Sequence, residues 1–264
     1  IRHLVLDKME INMQKVILKR SGLQVSKLGI GTGTHGWNGS SEQTRIGFSQ
    51  LVDLLKLAYD QGITFWDTAE AYGSHKHIAE AMKGIDRSSV TIMTKTFSKQ
   101  SAQVQIGIQN YLKELGTDYI DILLMHCITQ RDWLIAYADV IDTLKKAKEK
   151  GMVKAIGMSC HDFEALKTVA SADWIDVVFA RINYDGTHMD AKPDDIVPEL
   201  EKIYNAGKDV IGMKIIGQGQ LNSNTEKAFE YALALNCVDS VIVGMSNESQ
   251  VIQNVAFVNK YFGK

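Results

Sequence analysis

The chain reads as an α/β protein, a (β/α)8 TIM barrel entered through an N-terminal β-hairpin. Three observations lead there. Apolar strand-like runs alternate with amphipathic helical stretches, eight pairs in about 235 residues, which is the arithmetic of a closed eight-stranded parallel barrel. Several helical stretches stop at a glycine, at Gly62, Gly116, Gly151 and Gly207, the residue best suited to ending a helix. An open doubly wound sheet would place Gly-x-Gly-x-x-Gly after its first strand, and Gly29-Ile30-Gly31-Thr32-Gly33 has a different spacing.

Taken in order, residues 1–14 read as an N-terminal extension and residues 15–264 as a single barrel domain. Val16-Ile17-Leu18 and Leu23-Gln24-Val25 flank the turn Ser21-Gly22 as a hairpin. The first barrel strand is Leu28–Gly31, and its helix is Gln50–Asp60, with Leu51, Leu54, Leu55 and Ala58 on one face. Thr64–Trp66 precedes a helix at Ile78–Lys83, and Val90–Thr94 one at Val104–Leu115. Tyr119–Met125 is followed by Ala136–Glu149, and Val153–Met158 by Phe163–Ala170. Asp176–Ala180 leads to Ile196–Ala206, Val210–Ile216 to Glu226–Leu235, and Ser240–Val243 to Gln250–Tyr261.

The totals narrow the function. Lys plus Arg is 29 and Asp plus Glu is 31, a net charge of −2, so no basic surface points to nucleic acid. No apolar run approaches the length of a membrane span, and Asp7, Lys8 and Glu10 interrupt any leader-like stretch. Three widely spaced cysteines, Cys127, Cys160 and Cys237, do not make a disulfide framework and fit a reducing, cytoplasmic setting.

In such a barrel the chemistry sits at the C-terminal ends of the strands. Strand two delivers Asp67, with Tyr72 in the loop beyond; strand three delivers Lys95 and strand four His126. Taken singly, each has an ordinary structural reading: an ion pair, an interface aromatic, a satisfied polar residue. Together they interlock. A lysine beside a phenol stabilises the phenolate and lowers its pKa, an aspartate holds the lysine, and a histidine can orient a substrate oxygen.

On Asp67-Thr68-Ala69-x-x-Tyr72-Gly73, Lys95, His126 and Gly157-Met158-Ser159, the chain resembles the aldo-keto reductase family from about Lys15 to Phe262. The resemblance implies that Asp67, Tyr72, Lys95 and His126 are catalytic. It implies NADPH (or NADH) lying across the barrel mouth and a small-molecule carbonyl substrate, an aldehyde or ketone, protonated by the tyrosine. The hairpin then plugs the barrel bottom. Cofactor contacts are expected from Gly31, Thr32 and Gly33, from Ser159, Cys160 and Arg181, and from Met213, Lys214, Gly217 and Gly219. Gly244, Ser246, Asn247, Gln250 and Asn254 complete the set. Several positions depart from the family pattern: Cys160 stands for an asparagine, Arg181 for a glutamine, Met213 for an aromatic and Gln250 for an arginine. The chain is therefore read as a divergent member with a weak preference for NADPH. Three other readings compete. One is a Schiff base on Lys95, and one a metal site using His75 and His77. The third is a cofactor-binding regulatory subunit of slow turnover.

Overall fold

The computed structural model describes residues 13–263, so twelve of the fourteen residues read as an extension lie outside it. Two short antiparallel strands come first, β1 (Lys15–Ile17) and β2 (Gln24–Ser26). Eight parallel strands then close into a barrel: β3 (Leu28–Gly31), β4 (Phe65–Asp67), β5 (Thr91–Thr96), β6 (Ile120–Ile128), β7 (Val153–Cys160), β8 (Val177–Arg181), β9 (Asp209–Met213) and β10 (Ser240–Gly244). They follow chain order, with β10 pairing back onto β3. The helices around them are α1 (Glu42–Arg45), α2 (Phe48–Asp60), α3 (His75–Ala81), α4 (Ser101–Leu115), α5 (Trp133–Ala136) and α6 (Ala138–Glu149). After them come α7 (Phe163–Lys167), α8 (Pro193–Asn205), α9 (Thr225–Ala234) and α10 (Glu248–Phe262). None of these is long and apolar enough to cross a membrane.

Side chains alternate across each strand, because successive residues of a pleated backbone point to opposite faces. One set, including Phe65, Met93, Leu124, Phe179, Met213 and Ile242, fills the barrel. The other set joins the helices in the outer core, where α2 buries Leu51, Leu54, Leu55 and Ala58 as its periodicity predicts. Trp66 is fully buried there, and its indole N–H donates to Ile63 O at 3.0 Å. Burial of such a side chain contributes about 2–3 kcal/mol. Leu18 and Val25 of the hairpin belong to the inner set and close the bottom of the barrel. The hairpin is pinned there by Asp209, whose carboxylate accepts from Arg20 N–H at 2.8 Å and Ser21 N–H at 3.0 Å.

The boundaries differ from the sequence expectation where tertiary contacts decide them. β6 and β7 run on to Ile128 and Cys160, since each supplies the other's partners. The register between them shifts at Met125–Ile128, where Cys127 takes a left-handed φ of 57°. β9 stops at Met213 because Lys214 turns left-handed, φ 60°. α8 starts three residues early, at Pro193, whose missing N–H and fixed φ suit a first turn. α7 stops at Lys167, and Thr168 Oγ1 bonds back to Ala165 O at 2.8 Å, an interaction that loosens a helix.

Candidate active site

Asp67 is the last residue of β4 and Lys95 lies on β5, both with side chains inside the barrel mouth. Lys95, only 1% exposed, donates to the Asp67 carboxylate and to Thr68 O, the latter at 2.8 Å. Burial pushes the Asp67 pKa up and the Lys95 pKa down, and the charge of each opposes the shift of the other. The chain then makes a helical turn at Glu70–Tyr72, and the Glu70 carboxylate ties it down by accepting from Phe97 N–H and Tyr111 O–H. The Tyr72 ring is gripped by the loop after β3. A Cβ on Gly33 or Gly36 would stand 2.1 or 2.3 Å from it, so only glycine allows this closeness.

His126 is the inward residue near the end of β6. Its Nε2 is 3.2 Å from Tyr72 Oη, the rings meeting edge to face at 5.5 Å. Burial first, then the Lys95 charge, push the imidazole pKa down to about 2, so it is neutral at working pH. Nδ1 is buried with no partner among the described residues. A proton there would be an unpaired buried donor, which places the proton on Nε2, facing Tyr72. The Tyr72 pKa stands well above the ordinary phenol value, raised by burial, Asp67 and Cys127. This corrects the expectation that Lys95 lowers it. The Lys95 ammonium is turned to Asp67 and meets the Tyr72 ring at 5.1 Å from its centre.

A cleft of about 230 Å³ opens beside Asp67 and Tyr72 and runs between the loops after β3, β9 and β10. Gly31, Gly33, Met213, Lys214, Gly219, Gly244, Ser246 and Gln250 line it. Lys214 brings a cation, its pKa lowered by burial to about 8. Gln43 reaches across from α1, donating to Ser246 Oγ at 3.1 Å and accepting from Thr34 N–H at 2.9 Å.

The profile of the aldo/keto reductase family matches residues 27–230, more than half of the chain. The chain belongs to that family. It is 31% identical over 173 residues to aldo-keto reductase YhdN of Bacillus subtilis (strain 168), covering 59% of this chain and 50% of that one. The chain thus spans about half the length of that relative. It is 26% identical over 290 residues to L-galactose dehydrogenase of Arabidopsis thaliana, covering 92% and 87%. Its fold matches the solved aldo-keto reductase from Klebsiella pneumoniae in complex with NADPH, with a TM-score of 0.74 at 19% identity over 94% and 90% of the two chains.

In this reductase-family chain several residues expected at the cofactor do not line the cleft. Thr32 is fully buried, its Oγ1 donating to Asp67 O at 2.9 Å, and so braces the site from beneath. Ser159 Oγ accepts from Cys127 N–H at 2.8 Å and supports the bulge in β6. Cys160 points the other way, into the outer core, because β7 continues through it and alternation turns it outward. Its thiol donates to Asp162 O at 3.2 Å, and burial pushes its pKa up to about 12. Arg181 is held by Asp190 at 2.9 Å and by His161, and it does not line the cleft. Gly217 is buried within its turn, close to Leu221 and Thr187. Asn247 caps α10, accepting from Gln250 N–H at 3.0 Å, and Asn254 is buried along that helix.

Gln43, Thr34, Glu42, Phe179, Gln218 and Asn222 also line the cleft, without being expected there from the sequence. One signal was present. Ser41 and Thr44 form a reciprocal capping box, which starts α1 directly over the mouth. Lys95 is locked in its ion pair, which leaves no free amine for a Schiff base. His75 is engaged by Glu114 at 2.7 Å and Thr94 at 2.8 Å on the helix side of β5.

Proposed function

We propose that this protein is an NAD(P)H-dependent oxidoreductase that reduces a small aldehyde or ketone to the alcohol, with Tyr72 as proton donor. The Tyr72 hydroxyl 3.2 Å from a neutral His126, above the Asp67–Lys95 pair and at the edge of the cleft, carries this reading. The cleft residues fit a dinucleotide. Met213, Phe179 and Ile242 offer an apolar wall for a flat ring, and Lys214 a positive charge for phosphate. Ser246, Gln43 and Gln250 are neutral hydrogen-bonding groups on the β10 side, with Glu42 adding negative charge. NADPH is the expected cofactor, and NADH is usable because no lysine or arginine stands among these groups. The bound cofactor supplies the hydride.

The residues of the chain do the rest. His126 holds the substrate oxygen through Nε2–H, beside the phenol. Tyr72, with its raised pKa, keeps its proton at neutral pH and so stands ready to give it to the oxygen, which suits reduction. Asp67 and Lys95 set the field beneath and fix the phenol's floor. Residues 15–264 act as one reductase unit, with residues 1–14 as an extension, in the cytoplasm. Three free cysteines are consistent with that compartment.

A panel of short aldehydes and ketones with NADPH, followed by cofactor oxidation, tests the reading. Turnover that disappears in Tyr72→Phe is the expected result. No turnover of any carbonyl compound, or full turnover in Tyr72→Phe, would overturn it.

A further inference from the structure

The β5 side of the mouth holds a cation that the chemistry so far leaves unused. Beyond β5 the chain continues through Phe97 to Lys99. The Phe97 ring stands 4.7 Å from the His126 ring and 5.0 Å from the Trp37 ring, centre to centre. Lys99 folds back over β6. Its Nζ donates to the backbone carbonyl of His126 at 3.0 Å and lies 5.0 Å from the centre of the Tyr137 ring. The ammonium is therefore fixed on the same residue whose imidazole meets Tyr72.

An ammonium has three N–H donors, and the His126 carbonyl takes one. Lys99 forms no ion pair among the described residues. Glu70, the nearby carboxylate, has one oxygen engaged by Phe97 N–H and the other by Tyr111 O–H. Cys127 is a thiol whose pKa burial raises, so it supplies no counter-charge at neutral pH. Burial lowers the Lys99 pKa to about 8, a cation half withdrawn from water yet still protonated at pH 7. Such a group gains most from an anion brought to it. A neutral donor would serve equally well if the bond to His126 were the whole of its role.

We propose that Lys99 receives an anionic group of the substrate, so that the carbonyl compounds handled here carry a carboxylate or phosphate a few atoms from the carbonyl. The inference rests on the reductase reading of Tyr72 and His126 and adds a substrate class to it. One end of the substrate meets Tyr72 Oη and His126 Nε2, and the other meets the free N–H groups of Lys99. Phe97 packs against His126 and Trp37 against Phe97, which gives that side of the mouth an aromatic surface.

Matched substrates test this: succinate semialdehyde against butanal, and glyceraldehyde 3-phosphate against glyceraldehyde, at saturating NADPH. The charged member of at least one pair should have kcat/KM higher by about tenfold or more, through KM. The pair that shows it separates carboxylate from phosphate. Lys99→Met should bring that ratio towards one, and Lys99→Arg should restore most of it. Equal kcat/KM within both pairs would overturn the proposal, as would a ratio that Lys99→Met leaves unchanged. Should no aldehyde turn over, the reductase reading fails, and calorimetric binding of succinate semialdehyde and glyceraldehyde 3-phosphate still decides Lys99. Weakening of either by about tenfold in folded Lys99→Met supports the anion site, and unchanged affinity for both overturns it.

Discussion

The bottom of the barrel and its mouth differ in what holds their buried polar groups and in how their turns are made. At the bottom, Asp121 accepts from Ile92 N–H at 3.0 Å, Arg87 at 2.6 Å and Lys154 at 3.0 Å. Asp176 accepts from Ile156 N–H at 3.0 Å and Lys148 at 2.5 Å, and Asp239 from Val210 N–H at 2.8 Å. Each carboxylate satisfies an N–H of a neighbouring strand. At the mouth, the Asp67 carboxylate takes Lys95 instead, and His126 Nδ1 and Arg181 Nε are buried with no partner among the described residues, as are Trp174 Nε1 before β8 and Asn259 Oδ1 late in α10. The backbone repeats the contrast. The bottom turns reach left-handed φ through Gly62, Gly116, Gly151 and Gly207. The non-glycine residues that do so, His35, Asn38, Cys127, His188, Lys214 and Gln218, all lie at or beyond the C-terminal ends of strands. A left-handed non-glycine residue costs about 1–2 kcal/mol. Left-handed strain gathers where substrate and cofactor are proposed to bind, and the other end supplies the stability that tolerates it.

The sharpest way to break this contrast is Tyr72→Phe. Loss of a general acid should lower kcat by about 10²–10⁴-fold. Cofactor affinity and melting temperature should hardly move, as stopped-flow turnover and thermal melts will show. The mirror-image change is Asp121→Ala at the bottom. It leaves Ile92 N–H unpaired and Arg87 without its carboxylate, so unfolding in urea should show a loss of about 3 kcal/mol, with kcat of the folded protein unchanged. A fall in kcat with unchanged stability would mean that the two ends are not separable.

Cofactor choice probes the mouth more finely. With Glu42, Gln43, Ser246 and Gln250 on the β10 side of the cleft, the ratio of Kd values for NADH and NADPH should be about tenfold or less, near 1.4 kcal/mol. Gln250→Arg should tighten NADPH and leave NADH nearly unchanged. A preference near a thousandfold in the native chain would place an unrecognised cation on the phosphate. The smallest effects come from the backbone. Gly116→Ala, at φ 64° with open space around its Cβ, should cost about 1 kcal/mol of stability and nothing in kcat. Gln218→Gly, at φ 53°, should stabilise by up to about 1 kcal/mol, read in the same melts.

Much of this was legible in the chain. The order of the strands, the hairpin and the helix-ending glycines follow from apolar periodicity and local backbone preference, which need only neighbours in sequence. Asp67, Lys95 and His126 could be placed at strand ends because a strand's end and its alternation are local properties too. The contacts of Thr32, Cys160 and Arg181 were less legible. Each depends on which atom another element presents: Asp67 O to Thr32, continued pairing with β6 to Cys160, and Asp190 to Arg181.

Apolar periodicity and local backbone preference thus reach the barrel, the end at which its polar residues emerge, and the placing of Asp67, Tyr72, Lys95 and His126 at that end. How they pair came from the packing of distant segments. It turned Lys95 to Asp67 and left Tyr72 facing His126. It carried Gln43 across to Ser246, 203 residues away in sequence. It also set Lys99 on the carbonyl of His126. Periodicity encodes which face a residue takes, whereas hydrogen-bond partners depend on register and loop path between segments far apart in the chain.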